Sequence, residues 1–341
     1  MKHKRITLVL AIMGLIIILV SCQPQYLRRD ADLGVGEMVF VKIPGERIEI
    51  KSISPISAEQ VLEKKGREDK ITGYLTIPAN VKGKAPAVII KHCGAGVKEW
   101  KDLKYAKALN KWGYATFVVD SWELRKLDGL SRVTSGKDKI IPLVDIYSAL
   151  KVLSSDPRID PDRIAVLGWA NASNAILASQ ISKVRQIYGG ENKFAAAIAI
   201  QPINTEPWWV SKDVEKTPTL ILCGEKDVFA PCDACFKYKE LMKKAGENIN
   251  IISYPSAVHQ WDLDFISPRI FPEFFDTRGC YALFNVDNKS NELDGRTVSD
   301  NEVTSYYLNK CLVKGALAGG NKDVASKALE DVREFLEKHL K

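Results

Sequence analysis

The sequence predicts an α/β protein whose strands are mostly parallel and buried, and three observations predict it. Eight short apolar runs alternate with helix-length stretches along most of the 341 residues. The middle runs are continuously apolar, as strands covered on both faces are. No low-complexity linker or internal repeat breaks the alternation, which favours one large domain over two small ones.

The chain opens on a leader. Met1-Lys-His-Lys-Arg5 is a basic n-region and Ile6 to Val20 an apolar h-region, about fifteen residues where a membrane span needs about twenty. The stretch Leu19-Val-Ser-Cys22 resembles the bacterial lipobox. That resemblance implies a signal peptide over 1–21, cleavage before Cys22, and lipid on Cys22. A simple N-terminal anchor is the alternative. Residues 22–45 then read as a tether and 46–341 as the folded domain. Gln23 is not the aspartate that retains enterobacterial lipoproteins at the inner membrane. The expected location is the cell envelope, lipid-anchored and facing the periplasm or the exterior.

In order, strands are expected at about 47–53, 71–77, 87–91, 115–119, 164–167, 196–200, 219–223 and 249–253. Helices are expected at about 100–112, 141–154, 171–182, 235–245, 301–315 and 324–339. Gly246 and Gly315 read as C-caps, and Pro142 suits a first helical turn. Asp156-Pro-Arg-Ile-Asp-Pro-Asp-Arg163 reads as a proline-set loop. The aromatic-rich stretch 261–300 (Phe265, Phe271, Phe274, Phe275, Tyr281, Phe284) reads either as a cover near the site mouth or as an extension packed on the sheet edge.

Gly168-Trp-Ala-Asn-Ala172 follows an apolar run and precedes a small-residue helix. That is the strand, sharp turn and helix of a nucleophile elbow, G-x-S-x-G, with alanine at its centre. Alanine offers no lone pair to a carbonyl carbon. The expected backbone at Ala170 nevertheless has φ above zero. Two further sites complete the order nucleophile, acid, base: Asp227 after the apolar run 219–223, and His259 in the loop after Tyr254. The chain has only four histidines, His3, His92, His259 and His339, so His259 stands there undiluted by alternatives. Asp227 and His259 are expected within hydrogen-bond reach, with the imidazole facing the Ala170 methyl. Oxyanion donors are expected from the backbone N–H of Asn171 and from Cys93 or Gly94. His92 reads as structural, steering that loop. Asp120-Ser121 ends a strand at the same sheet edge, and Ser121 reads as a loop cap rather than a nucleophile. Ser173 and Cys93 are the residues that could replace the missing nucleophile. Ser173, on the following helix, reads first as a backbone-bonding residue, and Cys93 first as packing.

These residues resemble the dienelactone hydrolase-like branch of the α/β-hydrolases. The resemblance lies in Ala87-Val-Ile-Ile-Lys-His-Cys-Gly-Ala-Gly96, Val118-Val-Asp-Ser-Trp122, the elbow, Gly224-Glu-Lys-Asp227 and Tyr254-Pro-Ser-Ala-Val-His259. It implies an eight-stranded sheet with helices on both faces, no metal or other cofactor, and hydrolysis of small esters or lactones with Asp227 as acid and His259 as base. The chain departs from it at Ala170, where the family has Cys or Ser, and at Cys93, where glycine is usual. Three functions follow: an impaired hydrolase that binds an ester, lactone or acylated sugar; an active hydrolase using Cys93 or Ser173; or an active-site variant. The native leader speaks against the third.

The formal charge of +7 falls to +4 without Lys2, Lys4 and Arg5, and no basic stripe carries interleaved aromatics, so a nucleic-acid partner is not expected. Outside the leader six cysteines remain: Cys93, Cys223, Cys232, Cys235, Cys280 and Cys311. An exported chain permits disulfides, but the pairing cannot be read. Cys223, inside an apolar strand, reads as a buried thiol. Cys232-Asp-Ala-Cys235 lacks the second CxxC or histidine pair of a zinc site, and it follows a proline-containing loop rather than opening the first helix of a βαβ unit.

Overall fold

A computed structural model describes residues 41–127 and 137–341, with side chains from 140 in the second stretch. The expected signal peptide, Cys22 and nearly all of the tether lie outside the described residues. Val41–Lys341 form one compact unit.

The expected eight strands make one sheet. They are β1 (Glu46–Ser54), β2 (Arg67–Thr76), β3 (Ala85–Lys91), β4 (Ala115–Asp120), β5 (Ile159–Trp169), β6 (Ala196–Ile200), β8 (Thr219–Gly224) and β9 (Ile249–Tyr254). A short β7 (Trp208–Val210) lies outside it. The order is β1-β2-β4-β3-β5-β6-β8-β9. β1 and β2, and β2 and β4, pair antiparallel; every other neighbouring pair is parallel.

Every residue of β3, β6 and β8 is buried, which is why those runs show no polar alternation. Alternate side chains point to opposite faces. Ile89, Phe117 and Val166 enter a core with the helix Lys137–Ser154. Ile90, Val118 and Leu167 enter a second core with the helix Lys322–Leu340. That last helix buries Val324, Ala328, Val332 and Leu336, a four-residue spacing on one face, and the Asn321 side chain caps its start by accepting the Val324 N–H.

Several expected boundaries move. β5 begins at Ile159, where Ile159 pairs with Ala85, so part of the stretch read as a loop is strand. Pro142 is the sixth residue of its helix rather than a first-turn residue. The helix after the elbow ends at Ala178 and a second runs Ser182–Tyr188. The helix expected to reach Gly315 spans only Asp300–Tyr306, with a π turn to Cys311. Gly315 lies within a strand, β14 (Val313–Ala318).

That strand lies beyond the aromatic-rich stretch 261–300 and pairs with it. β10 (Arg269–Asp276) pairs antiparallel with β14. β11 (Leu283–Asn285), β12 (Ser290–Leu293) and β13 (Arg296–Val298) form a small sheet with β7 in the order β13-β12-β11-β7. A disulfide between Cys280 and Cys311 ties the stretch to the residues that follow it. The second disulfide corrects the reading of Cys223 as a thiol: it bonds Cys232 across nine positions, their Cα atoms 5.3 Å apart. The residues of the CxxC are therefore not each other's partners, and Cys235 is a buried thiol.

Candidate active site

The sheet's C-terminal edge gathers the residues singled out from sequence. β5 delivers Gly168 and Trp169 into a turn at Ala170, whose φ of 54° and ψ of −123° lie outside the regions L-residues normally occupy. A side chain at Gly168 would be crowded, because its Cβ would lie 2.9 Å from the Lys91 carbonyl and 3.0 Å from the Ala172 methyl. The turn is fixed by the Ala170 N–H donating to the Ile200 carbonyl at 3.0 Å, while the Ala170 carbonyl accepts from Ser173 N–H at 2.9 Å. Ala170 is half-buried, with Asn171 fully buried at the first position of the helix Asn171–Ala178.

Asp227 and His259 meet. His259 Nδ1 lies 2.8 Å from Asp227 Oδ2, with both side chains buried. Asp227 is saturated with donors: Phe229 N–H at 2.9 Å and Ala230 N–H at 2.7 Å reach Oδ1, and Gln201 Nε2 reaches Oδ2 at 3.0 Å. Pairing with a carboxylate places a neutral imidazole's proton on Nδ1 and leaves Nε2 as the basic nitrogen. Phe229 and Phe274 set their rings edge-on to the imidazole, at 4.7 and 5.5 Å. Phe274 lies on β10, so the aromatic stretch reaches the candidate base while also forming strands of its own.

Gln201 is a site residue that sequence reasoning missed. It follows the last residue of β6 with φ 53°, donates to Asp227 Oδ2 and to Val258 O (3.3 Å), and accepts from Gln260 N–H (3.3 Å). One amide thus joins Asp227 to the loop carrying His259. The available signal was a polar residue directly after a fully apolar strand, at the edge where the other site loops start.

The loop after β3 is also held. Ser121 N–H donates to His92 Nε2 at 3.0 Å, so the imidazole proton is assigned to Nδ1, which meets the Cys93 carbonyl at 2.6 Å. Trp122 Nε1 donates to Gly94 O at 3.2 Å. Trp122 follows Ser121, whose hydroxyl bonds Asp145, a carboxylate gripped by Arg125 at 2.7 and 2.8 Å. His92 is therefore a positioning residue. Beneath it, burial pushes the Lys91 ammonium down to about 8, against the pull of Asp145 and Asp120.

The expected oxyanion donors divide. Gly94 N–H donates at 2.7 Å to Asn171 Oδ1, so that donor is already engaged, by a side chain 77 residues away that no local pattern singles out. Asn171 presents its backbone from the helix start, as the elbow requires. The Cys93 thiol accepts from Lys101 Nζ at 3.1 Å. Burial works against the Lys101 charge, but Asp102 and the Cys93 sulfur hold its pKa above the usual lysine value. Ser173 is buried with its hydroxyl oxygen 2.8 Å from both the Gly168 and Ile200 carbonyls. As a donor tied to backbone it is not poised to attack a substrate.

Among the described residues no cluster of three His, Cys, Asp or Glu side chains could hold a metal ion. No described helix is long and apolar enough to cross a membrane.

The model of the dienelactone hydrolase family matches residues 71–264, more than half of the chain. No curated protein matches the sequence. Among solved structures, the protein designated m3DLH is similar over 87% of this chain and 99% of its own, at 14% identity and a TM-score of 0.51. A dienelactone hydrolase-like promiscuous phosphotriesterase from metagenomic libraries matches over 87% and 100%, at 11% identity and a TM-score of 0.49. A thermophilic esterase from Thermogutta terrifontis matches over 56% and 80%, at 16% identity and a TM-score of 0.40.

Proposed function

The chain belongs to the dienelactone hydrolase family, and from that premise we propose that it is a lipid-anchored member that has kept the acid–base pair of an ester hydrolase and lost its nucleophile. The observation that carries this is the contrast at one sheet edge. Asp227 is bonded by four donors and His259 is oriented by it, while the strained turn that should present the nucleophile presents a methyl group. The substrate-derived ligand is a small ester, lactone or acylated sugar, bound without efficient turnover. The role assigned to His259 is general base and that of Asp227 to hold its tautomer. Lipid on Cys22 would place the site on the envelope surface, which metabolic labelling with a fatty acid, lost on Cys22→Ala, would test.

A second reading is favoured by one contact. Lys101 Nζ lies 3.1 Å from the sulfur of Cys93, the residue type that attacks carbonyls in cysteine hydrolases.

One set of measurements separates them. Loss of a triad nucleophile leaves about 10³–10⁴-fold catalysis over water, far below an intact triad. The unmodified chain should therefore turn over short nitrophenyl esters barely at all. Ala170→Ser should gain activity that a further His259→Ala change removes, because a hydroxyl needs a base at neutral pH. Robust turnover by the unmodified chain, lost on Cys93→Ala, would establish the second reading and sink the first. Inactivity of both the parent and Ala170→Ser would refute the retained acid–base pair.

A further inference from the structure

We propose that the Asn171 side chain is an internal competitor for the ligand-binding oxyanion position, setting a threshold that a small carboxylate crosses more readily than a neutral ester carbonyl. The inference rests on reading residue 170 as the nucleophile position, and it names the ligand class of that site: the acid half of an ester or lactone, bound as its anion.

The geometry is specific. The peptide joining Cys93 to Gly94 is held at both ends, its carbonyl by His92 Nδ1 at 2.6 Å and its N–H by Asn171 Oδ1 at 2.7 Å. The next carbonyl, of Gly94, is held by Trp122 Nε1 at 3.2 Å. The peptide cannot turn its N–H elsewhere without breaking these bonds, so the donor stays aimed at the point where Oδ1 sits. Asn171 is 3% exposed, and its Cα is one residue past the elbow centre. A ligand oxygen that uses the Gly94 N–H must therefore displace the carboxamide oxygen.

That exchange is not equal for all ligands. An ester carbonyl replaces one neutral acceptor with another, so the hydrogen bond gained is about the one lost. A carboxylate oxygen makes a charge-assisted bond, roughly twice as strong, and recovers more than the displacement costs. In a working hydrolase the charge at this position appears only in the transition state. With a methyl at residue 170 no such state forms, and the anion that can exploit the donor is one already charged on arrival.

The test uses the full chain and two probes, butyrate and methyl butyrate, with affinities from calorimetry and the Gly94 amide resonance as a local reporter. The parent should bind butyrate more tightly than methyl butyrate by about tenfold or more, the size of about 1.4 kcal/mol. Asn171→Ala removes the competitor and should tighten both probes, butyrate by about threefold to tenfold, the worth of one modest hydrogen bond. A purely structural asparagine would weaken binding or leave it unchanged. Asn171→Asp, nearly isosteric, keeps an acceptor but places a charge against the anion, and should abolish butyrate binding. If Asn171→Ala does not fold, Asn171→Asp and the butyrate-induced shift of the Gly94 amide in the parent still decide.

Equal affinity of the parent for both probes, looser butyrate binding by Asn171→Ala, or no butyrate binding by either would overturn the proposal. None of these readouts uses turnover. An inactive Ala170→Ser with tightened butyrate binding in Asn171→Ala would refute the retained acid–base pair alone. A rescued Ala170→Ser with no tightening would refute the internal competitor alone.

Discussion

Replacing Gln201 with methionine should destabilise the protein by about 3 kcal/mol without altering the sheet. Methionine keeps the length of the side chain and tolerates the same backbone, so the φ of 53° is common to both proteins and cancels. What is lost is the bond to the Asp227 carboxylate at 3.0 Å, of a class worth about 1.5–3 kcal/mol. The Val258 carbonyl and Gln260 N–H, both at 3.3 Å, lose longer bonds that together add about 1 kcal/mol. For a unit of roughly 300 residues the unfolding entropy is about 0.6 kcal/mol per kelvin, so the midpoint should fall by about 5 °C. Reversible denaturant unfolding with an unchanged slope is the assay, supported by thermal melts. Gln201→Glu should cost more at neutral pH than Gln201→Met, since it sets a second carboxylate beside the first. A Gln201→Met protein within about 0.5 kcal/mol of the parent, a typical surface value, would refute the view that this amide holds the acid and base loops together.

Three further outcomes are expected. Glu247 is buried with no hydrogen bond to either carboxylate oxygen, and burial raises its pKa to about 8. A folded value above the unfolded one, near 4.5, means stability is full below about 4.5 and is lost as pH rises through about 8; Glu247→Gln should flatten that decline in melts taken across the range. Gly168→Ala forces a Cβ to 2.9 Å from the Lys91 carbonyl and should cost about 1–3 kcal/mol by overpacking, visible as a lower denaturant midpoint. Changing both Cys280 and Cys311 to serine opens a loop of 31 residues and should cost about 3–4 kcal/mol in the chain-entropy account; an unchanged midpoint would mean that the bond does not hold the aromatic-rich stretch to the residues that follow it.

The central sheet was legible because its signal is local. A strand buried on both faces has to be apolar at every position, so 87–91, 164–167, 196–200 and 219–223 announced themselves. Asp227 is the first aspartate after 219–223, and the chain has only four histidines, which singled out His259. Other features depend on contacts between distant residues. Nothing in Asn171 itself says that its oxygen will find Gly94, which lies 77 residues earlier. Cys223 looks like any buried strand thiol until the turn back from Asp227 brings Cys232 beside it. β14 escaped notice because Val313-Lys-Gly-Ala-Leu-Ala318 follows a helix directly and carries a glycine of φ 91°, which reads as a helix end. Its partner is β10, and pairing between strands this far apart leaves little trace in either segment.

The pairing of β14 with β10 also sets an order of assembly. Ala318 bridges His259 in parallel, and the Gly319 N–H donates to the His259 carbonyl at 2.9 Å. The backbone that carries the candidate base is therefore steadied by residues some sixty positions further along the chain. A nascent polypeptide could pair β3, β5, β6 and β8 as soon as these had been made, yet the loop bearing His259 would still wait for some sixty more residues. The central strands are made early, while the edge that carries His259 takes its final shape only once β14 has been made.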